Sequence, residues 1–359
     1  VDYSHSSFWV LAKMTDTGLT TEVYVRPGFA PDLASMAAKV KLWDATTSSW
    51  IARCPRYGEY NILYNLQSLD ESYARLAGKA IHAALAAFYT GVDADACLAL
   101  LGEAWGKDAD WRLPPGSKFQ HLHLGHLEVV FKNYVDFAAK HDTFKPLLVR
   151  REDLKLDHVL GGIWQLTEDG LVVLGESKFF MEFDLTHPKT GKPLRLEYSG
   201  RPDLPILMGG RNYIFDHKTT SGYLGDWYFE QFKLSNQLRG YEGMIQEITG
   251  TRLAGALING IYVGEKATDF KFKGARFARF GPHTFSQAHI NEALLNQYFW
   301  KQALYKYAEE GYFPQNTGKS CQSCDYLGLC ATSPELRSVE MRTKFKTGEK
   351  GIMDTFLSL

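Results

Sequence analysis

The stretch Gly200-Arg201-Pro202-Asp203-Leu204-Pro205-Ile206-Leu207-Met208-Gly209-Gly210-Arg211-Asn212-Tyr213-Ile214-Phe215-Asp216-His217-Lys218 decides how the rest of the chain is read. Two apolar runs flank Gly209-Gly210, a turn signal, so the segment is predicted to be a hairpin. Side chains i and i+2 of a strand share a face, so Asp216 and Lys218 project together. Asp203, at the end of the preceding strand, joins them across the pair. Two carboxylates with a lysine make a site for a hard divalent cation. Such an ion binds a phosphate oxygen and lowers the pKa of a water, while the lysine orients that water or offsets developing negative charge.

A [D/E]-x-K tripeptide is weak evidence by itself. The chain holds four: Asp153-Leu154-Lys155, Glu176-Ser177-Lys178, Asp216-His217-Lys218 and Asp269-Phe270-Lys271. At least three are expected to be incidental. Only the copy at 216–218 has a Gly-x-x-Asp before it and an apolar strand leading into it. Downstream, Gln237 and Tyr241 are spaced i, i+4 and share one helix face. Upstream, Gly78 and His82 lie in an Ala-rich helical stretch. A neutral imidazole among the ligands makes a site more tolerant of manganese than oxygen ligands alone.

The cysteines form a second pattern. Cys321, Cys324 and Cys330 read C-x2-C-x5-C, and Cys54 lies near the other end of the chain. A four-thiolate site would tie the two ends together. Five cysteines in 359 residues are too few for a disulfide scaffold. Cys97, in an apolar stretch, is expected to be a buried core thiol.

The composition is 45% hydrophobic and 14% aromatic, which supplies a sizeable core and excludes a disordered chain. A net charge of −1 excludes a strongly basic nucleic-acid binder, but leaves room for a locally basic groove. Apolar runs are shorter than a membrane span, and Val-Asp-Tyr-Ser-His at the start is not a basic-then-apolar leader. A cytoplasmic protein is expected, in a host's cytoplasm if it is viral.

Elements follow from periodicity and punctuation. Strand and helix are expected in residues 1–47, and Thr46-Thr47-Ser48-Ser49 reads as an N-cap cluster before an aromatic-rich helix. A helix is expected from Ser72 to Tyr89, and residues 91–151 read as mainly helical. Short β-rich runs follow after about 158. A long helix is expected at 227–248, a strand at "GALINGIYVG", a basic hairpin-like stretch at 266–280 and a final helix at 286–310. The fold class predicted is α/β (α+β), a central mixed β-sheet flanked by helices.

Taken together these residues resemble the RecB-type branch of the PD-(D/E)XK nuclease superfamily. The order there is G-x-x-x-H, an acidic residue before the sheet, G-x-x-D, D-x-K and Q-x-x-x-Y. Here it is matched by Gly78 to His82, then Glu176 or Glu182, then Gly200 to Asp203, Asp216 to Lys218 and Gln237 to Tyr241. One branch of that family carries a [4Fe–4S] cluster on one Cys before the core and C-x2-C-x5-C after it. CRISPR-adaptation nucleases, AddB-type nuclease domains and exonuclease V look like this, and "SSWIARCPRYGEY" resembles the helix that bears their first ligand.

The resemblance covers about residues 46–332 and implies a restriction-endonuclease-like core. The implied division is an N-terminal extension at 1–45, a helical lobe at about 72–151, a nuclease core at about 158–310, a cysteine loop at 321–330 and a tail at 333–359. His82, Asp203 and Asp216 would hold Mg2+ or Mn2+. Lys218 would assist the attacking water, and Glu176, Gln237 and Tyr241 would complete the catalytic set. Cys54, Cys321, Cys324 and Cys330 would hold the cluster as a structural staple, with spacing that favours iron–sulfur over zinc.

The activity implied is a DNA exonuclease acting on single-stranded ends in repair, recombination or phage DNA processing. The alternative is a module that binds DNA ends within such an assembly and turns over little. Lys266, Lys271, Lys273, Arg276 and Arg279, interleaved with Phe270, Phe272 and Phe277, read either as a strand-gripping surface or as a solvated hairpin. Arg53 and Arg56 are further phosphate candidates.

Overall fold

The computed structural model describes residues 7–15, 18–26, 32–69, 72–108, 111–155, 159–166 and 170–347. Residues 1–6, 16–17 and 27–31 of the expected N-terminal extension and positions 348–359 of the expected tail lie outside them. In chain order the elements are β1 (Ser7–Thr15), β2 (Gly18–Arg26), α1 (Leu33–Ala38), α2 (Ala45–Arg53), α3 (Pro55–Gly58), β3 (Leu66–Ser68), α4 (Tyr73–Tyr89), α5 (Ala94–Trp105), α6 (Leu124–His141), β4 (Lys145–Pro146) and β5 (Leu148–Arg150). They continue with β6 (Val159–Leu166), β7 (Leu171–Thr186), β8 (Pro193–Gly200), β9 (Leu204–Met208), β10 (Arg211–Thr220), α7 (Asp226–Glu230), α8 (Asn236–Thr249), β11 (Ala256–Tyr262), β12 (Phe277–His283), α9 (Gln287–Glu309), α10 (Leu327–Ala331), α11 (Arg337–Lys344) and β13 (Phe345–Thr347). The chain falls into two compact units, one of Val1–Lys41, Thr47–Gln67 and Trp300–Leu359, the other of Leu42–Thr46 and Ser68–Phe299.

The second unit is built on a mixed five-stranded sheet, in the order β12-β11-β10-β9-β4. Its centre is β10, antiparallel to β9 and parallel to β11. The β9–β10 turn uses Gly209 (φ 56°) and Gly210 (φ 75°), positive φ at both central positions as a two-residue hairpin requires. A second, antiparallel sheet has β7 at its centre, paired with β5, β6 and β8.

Helices α4 and α8 both pack against β10. Ala77, Ala80, Ile81, Ala84 and Leu85 recur at helical spacing and bury one face of α4. Its two large members, Ile81 and Leu85, are each stabilising by about 2 kcal/mol. Gly78 lets α4 approach the sheet, since a Cβ there would lie 3.0 Å from the Thr219 hydroxyl. Helix α8 starts where the Ser235 hydroxyl accepts the Leu238 N–H and stops at Gly250, which is left-handed at φ 64°. The mixed sheet flanked by helices is the fold class expected.

Some local expectations are corrected. The long helix at 227–248 is two helices, because the chain turns at 231–235 and Ser235 caps a new start. Thr46 to Ser49 do not cap α2 but lie inside it, Asp44 being the residue just before the first helical one. The segment 266–280 is not a hairpin of its own. It is a short 3-10 turn, Glu265–Thr268, a loop, and then β12, which pairs with β11.

Within the first unit, β1 and β2 form an antiparallel hairpin. Tyr60, Leu66, Tyr326 and Leu329 make a small buried core, with Cys324 and Cys330 packed against it. No helix among the described residues is long and apolar enough to cross a membrane.

Candidate functional site

The second unit carries a cavity of about 470 Å3 lined by His82, Glu176, Lys178, Gly200, Arg201, Asp203, Lys218, Gln237 and Tyr241, among others. Four elements meet there: α4 brings His82, β7 brings Glu176, the β9–β10 hairpin brings Asp203 and Lys218, and α8 brings Gln237 and Tyr241. One ligand atom from each of His82, Glu176 and Asp203 lies within 4.8 Å of the others. His82 Nδ1 is 3.3 Å from Glu176 Oε1 and 3.5 Å from Asp203 Oδ1.

Glu176 reaches His82 through an irregularity in β7. Gly161 pairs with Lys178 and Ile163 with Gly175, so β7 carries one extra residue there. Glu176 itself is left-handed, at φ 51°, a costly conformation for a residue with a side chain. Its N–H donates to the Asp203 carbonyl at 3.0 Å. Its carboxylate also takes the Arg201 Nε at 3.0 Å. Of the two candidate glutamates, Glu182 is elsewhere. It pairs with Arg195 and lies six residues further along β7, ~20 Å at strand rise.

Asp203 stands just before β9 and faces Asp216, because Leu204 pairs with Phe215. Its Oδ2 accepts the His217 N–H at 2.6 Å. Burial raises its pKa, but His82, Lys218 and His217 outweigh that and hold it well below the usual carboxylate range. Asp216 is fully buried, and the Lys218 ammonium lies against its Oδ2. Apart from that ion pair, neither Asp216 oxygen has a hydrogen-bond partner. Burial, reinforced by Asp203, pushes Asp216 up to about 6 against the pull of Lys218. Two buried carboxylates, Asp203 and Asp216, thus lie close to each other, and a cation would offset their mutual repulsion.

Burial alone would lower His82; Asp203 and Glu176 overcome it and bring it up to about 10. An imidazole held in that way gives up its proton only to a competing positive charge. Gln237 Nε2 donates to the Tyr241 hydroxyl at 3.0 Å, the contact expected from i, i+4 spacing.

Behind β10 lies a buried polar network. Arg279 donates to Asn259 Oδ1, to the Tyr134 hydroxyl (3.0 Å) and to Asp142 Oδ1 (2.7 Å). That orients the Asn259 amide so that Nδ2 donates to His217 Nδ1 at 2.6 Å. Burial drops His217 to about 3, so it stays neutral, with its proton on Nε2. Arg279 is thereby withdrawn from the basic stretch proposed to grip a strand. Arg276 is tied to the carbonyls of Ala267 and Asp269, and Phe272 stacks on Tyr262.

Spelling alone misses three cavity-lining groups. Lys178 belongs to the Glu176 tripeptide, so two of the four [D/E]-x-K copies meet in one cavity rather than one. Burial and Arg201 lower the Lys178 pKa. Arg201 is adjacent to the Pro-Asp pair, and Asp44 comes from the segment before α2. The copy at 153–155 is spent on a Lys155–Glu247 pair, and that at 269–271 on a loop in which Asp269 accepts the Lys271 N–H.

The first unit holds a different cavity, of about 190 Å3, lined by Cys54, Cys321, Cys324 and Cys330 with Tyr57, Tyr60 and Tyr326. Arg53 does not reach out to a phosphate; it donates to the Ser320 carbonyl at 2.8 Å and bridges the start and end of this unit. Arg56 pairs with Glu59 at 3.3 Å. The Asn316 N–H donates to Cys54 Sγ at 3.3 Å. Burial raises the thiols of Cys324 and Cys330. Cys97 is fully buried in the helical core of the other unit, as expected.

The chain belongs to the PD-(D/E)XK nuclease superfamily, which it matches over residues 45–331. Members of that superfamily are generally divalent-metal-dependent nucleases. No curated protein matches the chain. A solved structure described as the crystal structure of SSO0001 is similar at 14% identity and a TM-score of 0.32, over 84% of this chain and 94% of that one.

Proposed function

We propose that this protein is a divalent-metal-dependent deoxyribonuclease that hydrolyses phosphodiester bonds from single-stranded ends. The observation that carries the reading is the convergence of His82, Glu176 and Asp203, with the Asp216–Lys218 pair electrostatically coupled to them, in a chain of this superfamily. The buried Asp216 carboxylate, held by Lys218 alone and near an imidazole and the Asp203 carboxylate, suits a Mg2+ or Mn2+ ion. When bound, that ion supplies charge for a phosphate oxygen and a water of lowered pKa.

The chain's own groups do the rest. His82, Asp203 and Asp216 would hold the ion, with the Glu176 carboxylate, 3.3 Å from His82 Nδ1, within reach of the same position. Lys218, drawn up in pKa by Asp216 and Asp203 against burial, stays protonated. It orients the attacking water and opposes charge on the phosphate. Gln237 fixes the Tyr241 hydroxyl at the cavity wall, and Arg201, 62% exposed at its side chain, offers a bidentate contact to a phosphate.

Cys54, Cys321, Cys324 and Cys330 suit a [4Fe–4S] cluster, and their common cavity supports it. Among the described residues no three of their sulfurs lie within 4.8 Å of one another. The cluster's role is to staple residues 47–67 to 300–359, a closure that removes entropy from the unfolded chain.

The deciding experiment digests 5′- and 3′-labelled single- and double-stranded DNA with Mg2+ and with Mn2+. Nucleotide release from single strands by the wild type and none by Asp216→Asn supports the reading. Equal DNA binding by both proteins with cleavage by neither replaces it with a DNA-end-binding module.

A further inference from the structure

We infer that Tyr223 and Trp227 form a stacking platform for unpaired bases beside the cation site, an inference that rests on the nuclease reading of that site and names the strand form it takes. The argument starts from register. Lys218 pairs with Gly260 in the parallel β10–β11 ladder. Paired residues of adjacent strands share a face and lie one strand spacing apart, about 4.8 Å. A Cβ on Gly260 would meet Leu224 Cδ2 at 2.8 Å and Phe229 Cζ at 2.9 Å. Those two buried side chains therefore sit on Gly260 and pin the segment between them. The segment lies on the face that carries Asp216 and Lys218, one strand over.

The same segment leaves Tyr223 63% exposed and Trp227 68% exposed. A Cβ on Gly225 would meet Tyr223 Cε1 at 2.6 Å and Trp227 Cδ1 at 3.6 Å, so the two rings flank one bare glycine. Tyr228, the next residue of α7, feels the charges of Lys218 and Asp216, which places this end of α7 near the ion pair. The neighbouring cavity wall supplies Arg201, Lys178 and Lys218 for phosphates.

Two exposed rings beside a site that offers both cations for phosphates and carboxylates for a metal fit an unpaired strand. Every base presents a π-face, so stacking tolerates sequence, whereas the bases of a duplex are already stacked on one another. The platform thus selects strand form rather than sequence.

The test measures binding of a fluorescein-labelled oligothymidylate and of a blunt hairpin duplex to the full chain, with Ca2+ in place of Mg2+. The double variant Y223A/W227A is expected to bind the oligothymidylate about tenfold or more weakly, with the duplex affinity changed less than twofold. The conservative W227F is expected to keep most of the affinity while losing part of the tryptophan quenching seen when wild type binds. Both side chains are exposed, so circular dichroism and Tm are expected to match wild type, and the single variants give the same direction with smaller losses. Unchanged oligothymidylate affinity in the double variant overturns the platform. So does an equal loss for duplex, or a tenfold loss in F270A with none in Y223A/W227A, which would move the contact to the basic loop. Cleavage of labelled DNA by wild type is read separately. Cleavage with unchanged variant affinity sinks the platform and leaves the nuclease reading, and the reverse pattern does the opposite.

Discussion

The cavity around His82 and the cavity around Cys54 are both assembled from residues far apart in sequence, but they are held in opposite ways. In the first, backbone register does the placing. Asp203, Asp216 and Lys218 are fixed by one hairpin, and Glu176 by a bulge. Like charges are held close there: the buried carboxylates of Asp203 and Asp216 repel each other, with the Lys218 ammonium against Asp216. In the second, the loop that carries three cysteines is short 3-10 turns and a five-residue helix, pinned by Arg53, Asn316 and the Tyr326 hydroxyl. A rigid frame tolerates repulsion at a site. A loop without such a frame needs its ligands satisfied to stay folded.

The largest expected effect breaks that comparison on the acidic side. Asp216→Asn is expected to lower cleavage by about a thousandfold or more, as loss of a metal ligand and of transition-state charge requires. The fold is expected to survive, because strand register holds this frame even though the Lys218 ammonium loses its partner. Single-turnover digestion and a thermal melt on the same sample check both halves; a large drop in Tm would refute the rigid-frame account.

On the cysteine side the pattern is expected to invert. Cys321→Ser should abolish visible absorbance from sulfur-to-iron charge transfer and lower stability by about 2–5 kcal/mol, in line with the loss of other covalent staples. Protein prepared without oxygen and found colourless, with zinc by metal analysis, would contradict the cluster.

A smaller effect sharpens the role of buried charge. Burial pushes Glu242 from 4.5 up to about 7. A carboxyl with a raised folded pKa binds its proton more tightly when native, so stability falls as pH rises from about 4.5 through 7. Glu242→Gln is expected to remove that slope and to gain about 2 kcal/mol at pH 8. Denaturant melts across that range give the answer, and parallel wild-type and variant curves would oppose it.

The smallest concerns Tyr326. Its hydroxyl donates to the Leu66 carbonyl at 2.7 Å. Tyr326→Phe should cost about 1–2 kcal/mol by leaving a buried acceptor unpaired. Urea titration checks the value, with cleavage expected to be unchanged.

The hairpin, its Gly-Gly turn, the His82 helix and the Gln237–Tyr241 contact were legible because each depends on a short-range period or turn. Glu176 was not separable from Glu182, since the choice rests on a bulge that no local pattern announces. Arg279 looked like a surface cation because the spelling shows only its basic neighbours. Its partners Asp142, Tyr134 and Asn259 come from α6 and β11, and only tertiary packing brings them in. The break at 231–235 was hidden by apolar and aromatic residues that suit a helix on either side, with Ser235 the one cue.

The bulge at Glu176 also bears on how distant sequences should be aligned with this one. It adds a residue to β7 between Gly175 and Lys178, and β6 adds one between Val159 and Gly161, so the register is out of step only around Glu176 and is restored by Phe179. A relative that lacks both shifts would still align without a gap, so an acidic residue matched to Glu176 in spelling need not occupy its place in the structure.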